Sequence, residues 1–130
     1  MLLQPTRVLQ LDEVRPASPL RAPQFLVLTW GAHEIVVSER RPSLTVGRGG
    51  LSNMVIQDDA VSRLHARIEF RHARFSLTDQ SSNGTYIAGS TGAARKVCNE
   101  THVLTGTGTI SFGINPETGR TQLVRYVVNS

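Results

Sequence analysis

Ala66-Arg67-Ile68-Glu69-Phe70-Arg71-His72-Ala73-Arg74-Phe75-Ser76-Leu77 is the stretch whose reading decides the fold. Ala66, Ile68 and Phe70 fall on one parity, and Arg67, Glu69 and Arg71 on the other. After a turn at His72-Ala73, Phe75 and Leu77 resume the inner face. A hydrophobic period of two belongs to a strand with one face buried, so the stretch predicts two strands joined by a turn. The same texture extends in both directions. Leu44 and Val46 alternate with Ser43 and Thr45, and Ile110 and Phe112 with Thr109 and Ser111. Met54-Val55-Ile56 is a short apolar run closed by Gln57-Asp58-Asp59. Leu123-Val124-Arg125-Tyr126-Val127-Val128 supplies a late strand, and Phe25 to Trp30 is apolar on both parities, as expected of a strand between two layers. No segment sustains a 3.6-residue period with caps, so helix is minor. Short strands broken by turn residues predict an all-β sandwich of two antiparallel sheets.

Ahead of Phe25 the texture changes. Four of the six prolines, Pro5, Pro16, Pro19 and Pro23, fall in residues 1–23. Proline fixes φ and donates no backbone hydrogen bond, so 1–23 reads as a Pro-rich tail or linker and 24–130 as the domain. A chain of 130 residues suits one core. At 39% hydrophobic and 18% charged residues it has a globular balance. No apolar run approaches the roughly 20 residues of a membrane helix, and the start lacks the basic region of a secretory leader. Cys98 is the single cysteine. One cysteine cannot make an internal disulfide, so a reducing cytoplasm is the expected home.

The formal net charge of +4 suits an anionic partner without requiring one. Of the fourteen basic residues thirteen are arginine, with Lys96 alone. Arginine presents a planar fork that grips phosphate or carboxylate through two parallel hydrogen bonds. The basic residues are scattered, with no block interleaved with aromatics, so neither a nucleic-acid groove nor a membrane surface is expected.

Three turns carry the chemistry: Gly47-Arg48-Gly49-Gly50, Val61-Ser62-Arg63-Leu64-His65, and Asp79 to Thr85 with Ser81-Ser82-Asn83-Gly84 inside it. Two arginines, several hydroxyls and an amide make the inventory of a phosphate receptor. In a sandwich, loops at one end converge although they are distant in sequence, and the sheets hold them rigidly. Ser62 with His65 lacks a third orienting group or an oxyanion element, so nucleophilic catalysis is not expected and no catalytic residue is assigned. His33, His72 and His102 show no metal-ligand spacing with one another or with Cys98, so neither metal nor cofactor is expected. The turn at 47–50 lacks the Gly-Lys-Ser/Thr ending of a nucleotide P-loop. Asn83-Gly84 is, taken alone, the sequence of a type I′ turn.

Read in order, Gly47-Arg48, Ser62-Arg63-Leu64-His65 and Asn83-Gly84 strongly resemble the signature of a forkhead-associated (FHA) domain, in which Ser-x-x-His follows Gly-Arg by about fourteen residues and Asn-Gly comes about twenty later. The resemblance covers Phe25 to Val128, with its motif core from Thr45 to Gly113. It implies an FHA-type β-sandwich of about eleven strands. It also implies a module that binds phosphothreonine peptides and is not an enzyme. Carried over by position, Arg48 and Ser62 would hold the phosphate and Arg63 would add a second contact. Ser82 would reach the phosphate or the peptide, and Asn83 the peptide main chain. Gly47, His65, Gly84 and Thr85 would shape the loops. The partner would be a protein phosphorylated by a Ser/Thr kinase; the alternative is a scaffolding or oligomerisation module of the same family that reads no phosphate.

Two departures affect peptide choice. A longer polar stretch, 89–103, stands where many relatives turn tightly; folded over the binding end it would alter selection, and the alternative is a mobile loop on the far side. Ala60 and Val61 stand where some relatives place a charged reader, which argues against charge selection from that spot. Finally, 41–49 and 104–113 look like FHA segments of bacterial proteins that also carry a class III adenylate/guanylate cyclase domain. Any such activity would lie outside these 130 residues.

Overall fold

The computed structural model describes residues 23–119 and 123–129. The expected linker therefore lies outside the described residues except for Pro23. Eleven strands form two packed sheets: β1 (Phe25–Trp30), β2 (His33–Ser38), β3 (Ser43–Gly47), β4 (Met54–Val55), β5 (Ala66–Arg71), β6 (Arg74–Asp79), β7 (Thr85–Gly89), β8 (Arg95–Val97), β9 (Thr101–Leu104), β10 (Thr107–Phe112) and β11 (Val124–Asn129). One sheet runs β2-β1-β11-β10-β7-β8, the other β4-β3-β5-β6-β9. Among the described residues the one helical segment is the 3-10 turn Pro116–Thr118, and no helix is long and apolar enough to cross a membrane.

The alternation read from the sequence is the alternation that is buried. Leu44 and Val46, Ala66 and Ile68, Phe75 and Leu77, and Ile110 and Phe112 all point into the interface between the sheets. Burying the Leu, Val, Ile and Phe side chains among these is worth roughly 1.5–3 kcal/mol each, and this fixes which face of each of these strands turns inward. β1 departs from expectation. Only Leu26, Leu28 and Trp30 are buried, while Phe25 is 41% exposed. A two-layer sandwich offers β1 one covered face. Val27 on the other side is shielded sideways by its cross-strand neighbours Val36 and Val127.

Every strand pair is antiparallel except β3–β4, which is parallel. The loop between them is drawn back along β3 by Asn53. Its Oδ1 accepts from the Thr45 N–H and hydroxyl (2.9 and 3.1 Å), and its N–H donates to Thr45 Oγ1 (3.0 Å). The chain thus re-enters beside β3 in the same direction.

The 89–103 stretch is not one loop. Arg95–Val97 pairs with β7 as an edge strand, and because β7 runs away from the motif turns, residues 90–94 lie at the far end of the sandwich. Val97 then returns the chain, so 98–100 turn at the same end as the motif loops. That end also collects 48–53, 56–65, 80–84 and the start of the 113–123 connection. The ladder pairs Val46↔Ala66, Ala66↔Asp79 and Thr85↔Phe112 set these loops side by side.

Candidate functional site: three turns tied by hydrogen bonds

The first two turns are sewn together along their backbones. The Arg48 N–H donates to the Ser62 carbonyl (2.9 Å), and the Gly49 N–H to the Arg63 carbonyl (3.1 Å). Approach this close explains Gly47, where a Cβ would stand 2.1 Å from the Arg63 carbonyl oxygen. The Arg48 side chain is half-buried, and its Nε–H donates to the Val61 carbonyl (2.9 Å). That bond fixes the plane of the guanidinium. The terminal amino groups keep their donors, with no partner among the described residues.

The third turn joins through Ser62 and Asn83. The Ser82 N–H donates to Ser62 Oγ (3.1 Å), and Asn83 Nδ2 donates to the Ala60 carbonyl (2.9 Å). The Ser62 hydroxyl proton stays available, as does the Asn83 side-chain carbonyl. Arg63, Ser82 and Asn83 are exposed. All five candidate binding residues therefore belong to one hydrogen-bonded group of loops. Beside Arg48 opens a groove of about 510 Å³, lined also by Gln57, Asp58, Asp59 and Ala60. Val61 is buried in the core and cannot read a ligand. Charge enters this wall two residues earlier than its sequence position suggests, through Asp58 and Asp59.

His65 lies beneath the group, fully buried. Its Nδ1 accepts from the Ser62 N–H (3.0 Å), and Nε2 lies 2.9 Å from the Gly84 carbonyl. A carbonyl only accepts, so Nε2 carries the proton and the ring is the neutral tautomer. Burial lowers its pKa from the ordinary 6.5, against the opposing pulls of the Gly84 carbonyl and Asp79. Although Nε2 lies 3.8 Å from an Asp79 carboxylate oxygen, a neutral ring makes no ion pair.

Asp79 was visible in the sequence only as the start of a turn, yet it organises the third loop. Its Oδ1 accepts from the Ser81 and Thr85 hydroxyls (2.7 Å each). Its Oδ2 accepts from the Asn99 N–H (2.9 Å) and the Ser81 N–H (3.3 Å). Burial pushes this carboxyl up, but the hydrogen bonds from Asn99, Ser81 and Thr85 outweigh it, and its pKa falls below the ordinary 3.8. Asp followed two residues on by Ser is the local signal for such a turn; Asn99 leaves no comparable trace. The Gly84 N–H closes the loop on Ser81 Oγ (2.8 Å), with Gly84 at φ +85°. Asn83-Gly84 is therefore not a type I′ turn. The pair of positive φ values falls instead at His72 (51°) and Ala73 (62°).

The buried histidine sets a pH dependence. Between the unfolded value near 6.5 and the lower folded one, the unfolded chain binds more protons, so stability rises with pH. Stability from His65 is therefore complete above pH 6.5 and declines as pH falls below it. His102, lowered by burial and by Arg95, acts in the same direction. We expect the thermal midpoint to fall from pH 6.5 to 5 in wild type and in a His102→Ser control. A flat profile would contradict the neutral, doubly bonded His65.

Among the described residues no group of three or more His, Cys, Asp or Glu side chains could hold a metal ion. The family model of the FHA domain matches residues 44–113, more than half of the chain. The chain belongs to the FHA domain family. No curated protein matches its sequence. Solved FHA structures share its fold at low identity. The Rv1747 FHA-1 domain of Mycobacterium tuberculosis is 19% identical with a TM-score of 0.66, covering 84% of this chain and all of that one. The CT664 FHA domain of Chlamydia trachomatis is 18% identical at 0.58, covering 84% and 98%. The N-terminal FHA domain of S. cerevisiae Rad53p, solved with a phosphothreonine peptide, is 17% identical at 0.55, covering 82% and 92%.

Proposed function

We propose that this FHA domain is a signalling module that binds phosphothreonine peptides and thereby recruits a protein phosphorylated by a Ser/Thr kinase. One observation carries the reading. The half-buried Arg48 guanidinium, held in plane by the Val61 carbonyl, belongs to the same hydrogen-bonded loop group as the Ser62 hydroxyl. Phosphate brings about −1.5 to −2 charge and three acceptor oxygens. It needs several charge-assisted donors, each worth roughly 1.5–3 kcal/mol. Arg48 supplies two amino groups, and Ser62, Arg63 and Ser82 add donors around it. Asn83 addresses the peptide main chain, while His65, Gly47, Gly84 and Thr85 hold the loops. The peptide bound to the related Rad53p domain supports the same ligand class.

Asp58 and Asp59 on the groove wall favour basic side chains near the phosphothreonine. The exposed free Cys98 suits a reducing cytoplasm. A link to a class III cyclase rests only on the likeness of 41–49 and 104–113, and sequencing the gene outward from this domain tests it.

The deciding experiment is titration with a degenerate phosphothreonine peptide library beside unphosphorylated and phosphoserine controls. Phosphothreonine should bind selectively. Phosphoserine should bind about fivefold more weakly, the worth of one methyl group in an apolar notch at roughly 0.8 kcal/mol or slightly more. No binding by the folded domain would move the reading to a phosphate-independent scaffold.

A further inference from the structure

At the pole opposite the motif loops, the β5–β6 hairpin closes through His72 and Ala73, both at positive φ. Side chains other than Gly, Asn or Asp are disfavoured there. A second cost sits beside it. Arg71 and Arg74 stand directly across the ladder on the outer face, and like charges so placed destabilise an antiparallel pair. A third arginine stands nearby. The Phe70 N–H to Pro42 carbonyl bond (2.8 Å) holds the entry to β3 against β5, and Arg41 directly precedes Pro42, where its N–H and carbonyl pair with Ser38 in the β2–β3 turn. Arg40 precedes it in the β2–β3 turn. All four are exposed. None of their guanidinium groups forms an ion pair or hydrogen bond with another described residue. Glu69 is the one carboxylate on the outer face of β3, β5 and β6, and Glu39 is the other acid close in sequence.

Repulsion and turn strain meet at one corner, where Glu69 is the single neighbouring carboxylate on that face of β3, β5 and β6 and no described residue pairs with the four guanidinium groups. An external anion would relieve the repulsion. We propose that this corner is a second anion-binding surface, and that it docks an acidic segment of a protein partner. The ladder sets the Arg71 and Arg74 backbones about 5 Å apart, with Arg41 at the head of the next segment. Each fork can take a carboxylate through two parallel hydrogen bonds. An extended acidic segment offers carboxylates on alternate residues about 7 Å apart, and two of them fall within reach of the three arginines. Nucleic acid fits less well: the cluster is too short for a phosphate track, and no Phe, Tyr or Trp lies on this face to stack a base. The surface lies a strand length from Arg48, about 20 Å. It therefore works independently of the phosphate site.

The test titrates the chain with a labelled oligoglutamate peptide and, separately, a single-stranded oligonucleotide of equal net charge. Wild type is compared with the Arg71→Ser/Arg74→Ser double variant, which extends the hydroxyl-bearing face already present at Ser43 and Ser76. Wild type should bind the peptide, more weakly as salt is added. The variant should bind it about tenfold more weakly, the sum for two exposed ion pairs. Its thermal midpoint should hold or rise, because a repulsive pair is gone. Its affinity for phosphothreonine peptides should equal that of wild type, so failure at one site leaves the other measurable. No peptide binding at low salt, equal binding by the variant, or tighter binding of the oligonucleotide would each overturn the proposal.

Discussion

Asp79→Ala should cost about 3–5 kcal/mol of folding stability, the range for leaving the partners of a buried charge uncompensated. The carboxylate is fully buried and gathers two hydroxyls and two backbone N–H groups. Removing it strands all four, and each orphaned buried donor costs about 1–3 kcal/mol before relaxation. Water can enter from the exposed Asn99 side, which keeps the total well below the simple sum. The damage should also be directional. Ser81 Oγ positions the Gly84 N–H, and the Gly84 carbonyl in turn accepts from His65 Nε2–H. The loop carrying Ser82 and Asn83 should therefore loosen before the sheets do. Urea unfolding measures the first effect, and amide exchange at Ser81 to Gly84 the second. Asp79→Asn keeps the shape but turns an amide group toward donors, so it should fall between alanine and wild type. A stability loss under about 1 kcal/mol would mean that the network contributes little.

That network also shows what the sequence conceals. Strand alternation was legible because each period-two run, such as Ala66 to Phe70, reports its own buried face. The Gly-Arg, Ser-x-x-His and Asn-Gly turns were legible because each is short, and only their combination is specific. What escaped depends on residues far apart in the chain. The Asn99 N–H meets Asp79 across twenty positions, and it does so because β8, hidden in a polar stretch with only Val97 buried, returns the chain to that end. The apolar run Met54-Val55-Ile56 was legible, but its parallel pairing escaped because Asn53 reaches back to Thr45 by side-chain bonds that leave no hydrophobic pattern. The positive-φ turn at His72-Ala73 escaped for another reason: register, not residue preference, imposes it. Arg71↔Arg74 pairing leaves two residues to reverse the chain, and a two-residue loop that follows the strand twist requires left-handed backbone.

Arg48→Ala should weaken phosphothreonine-peptide binding by about 2–5 kcal/mol, or roughly 30- to 5,000-fold. The range is wide because truncation removes an attraction and also leaves the phosphate facing a cavity with fewer donors. Most of the loss should appear in the dissociation rate, since close contacts form after encounter. The protein should stay folded. Arg48 contributes one side-chain bond to the Val61 carbonyl, worth about 1 kcal/mol, while the backbone bonds from Arg48 to Ser62 and from Gly49 to Arg63 do not need the side chain. Arg48→Lys separates charge from geometry. It restores the positive charge but neither the Nε–H that engages Val61 nor the planar fork. If the role of Arg48 is that of a point charge, lysine should recover nearly all the affinity. If the Val61 carbonyl holds the fork for bidentate contact, lysine should recover a minor part, and calorimetry on the two variants separates the cases. Equal affinity of Arg48→Ala and wild type would remove Arg48 from the site, and with it the observation on which the phosphate reading rests.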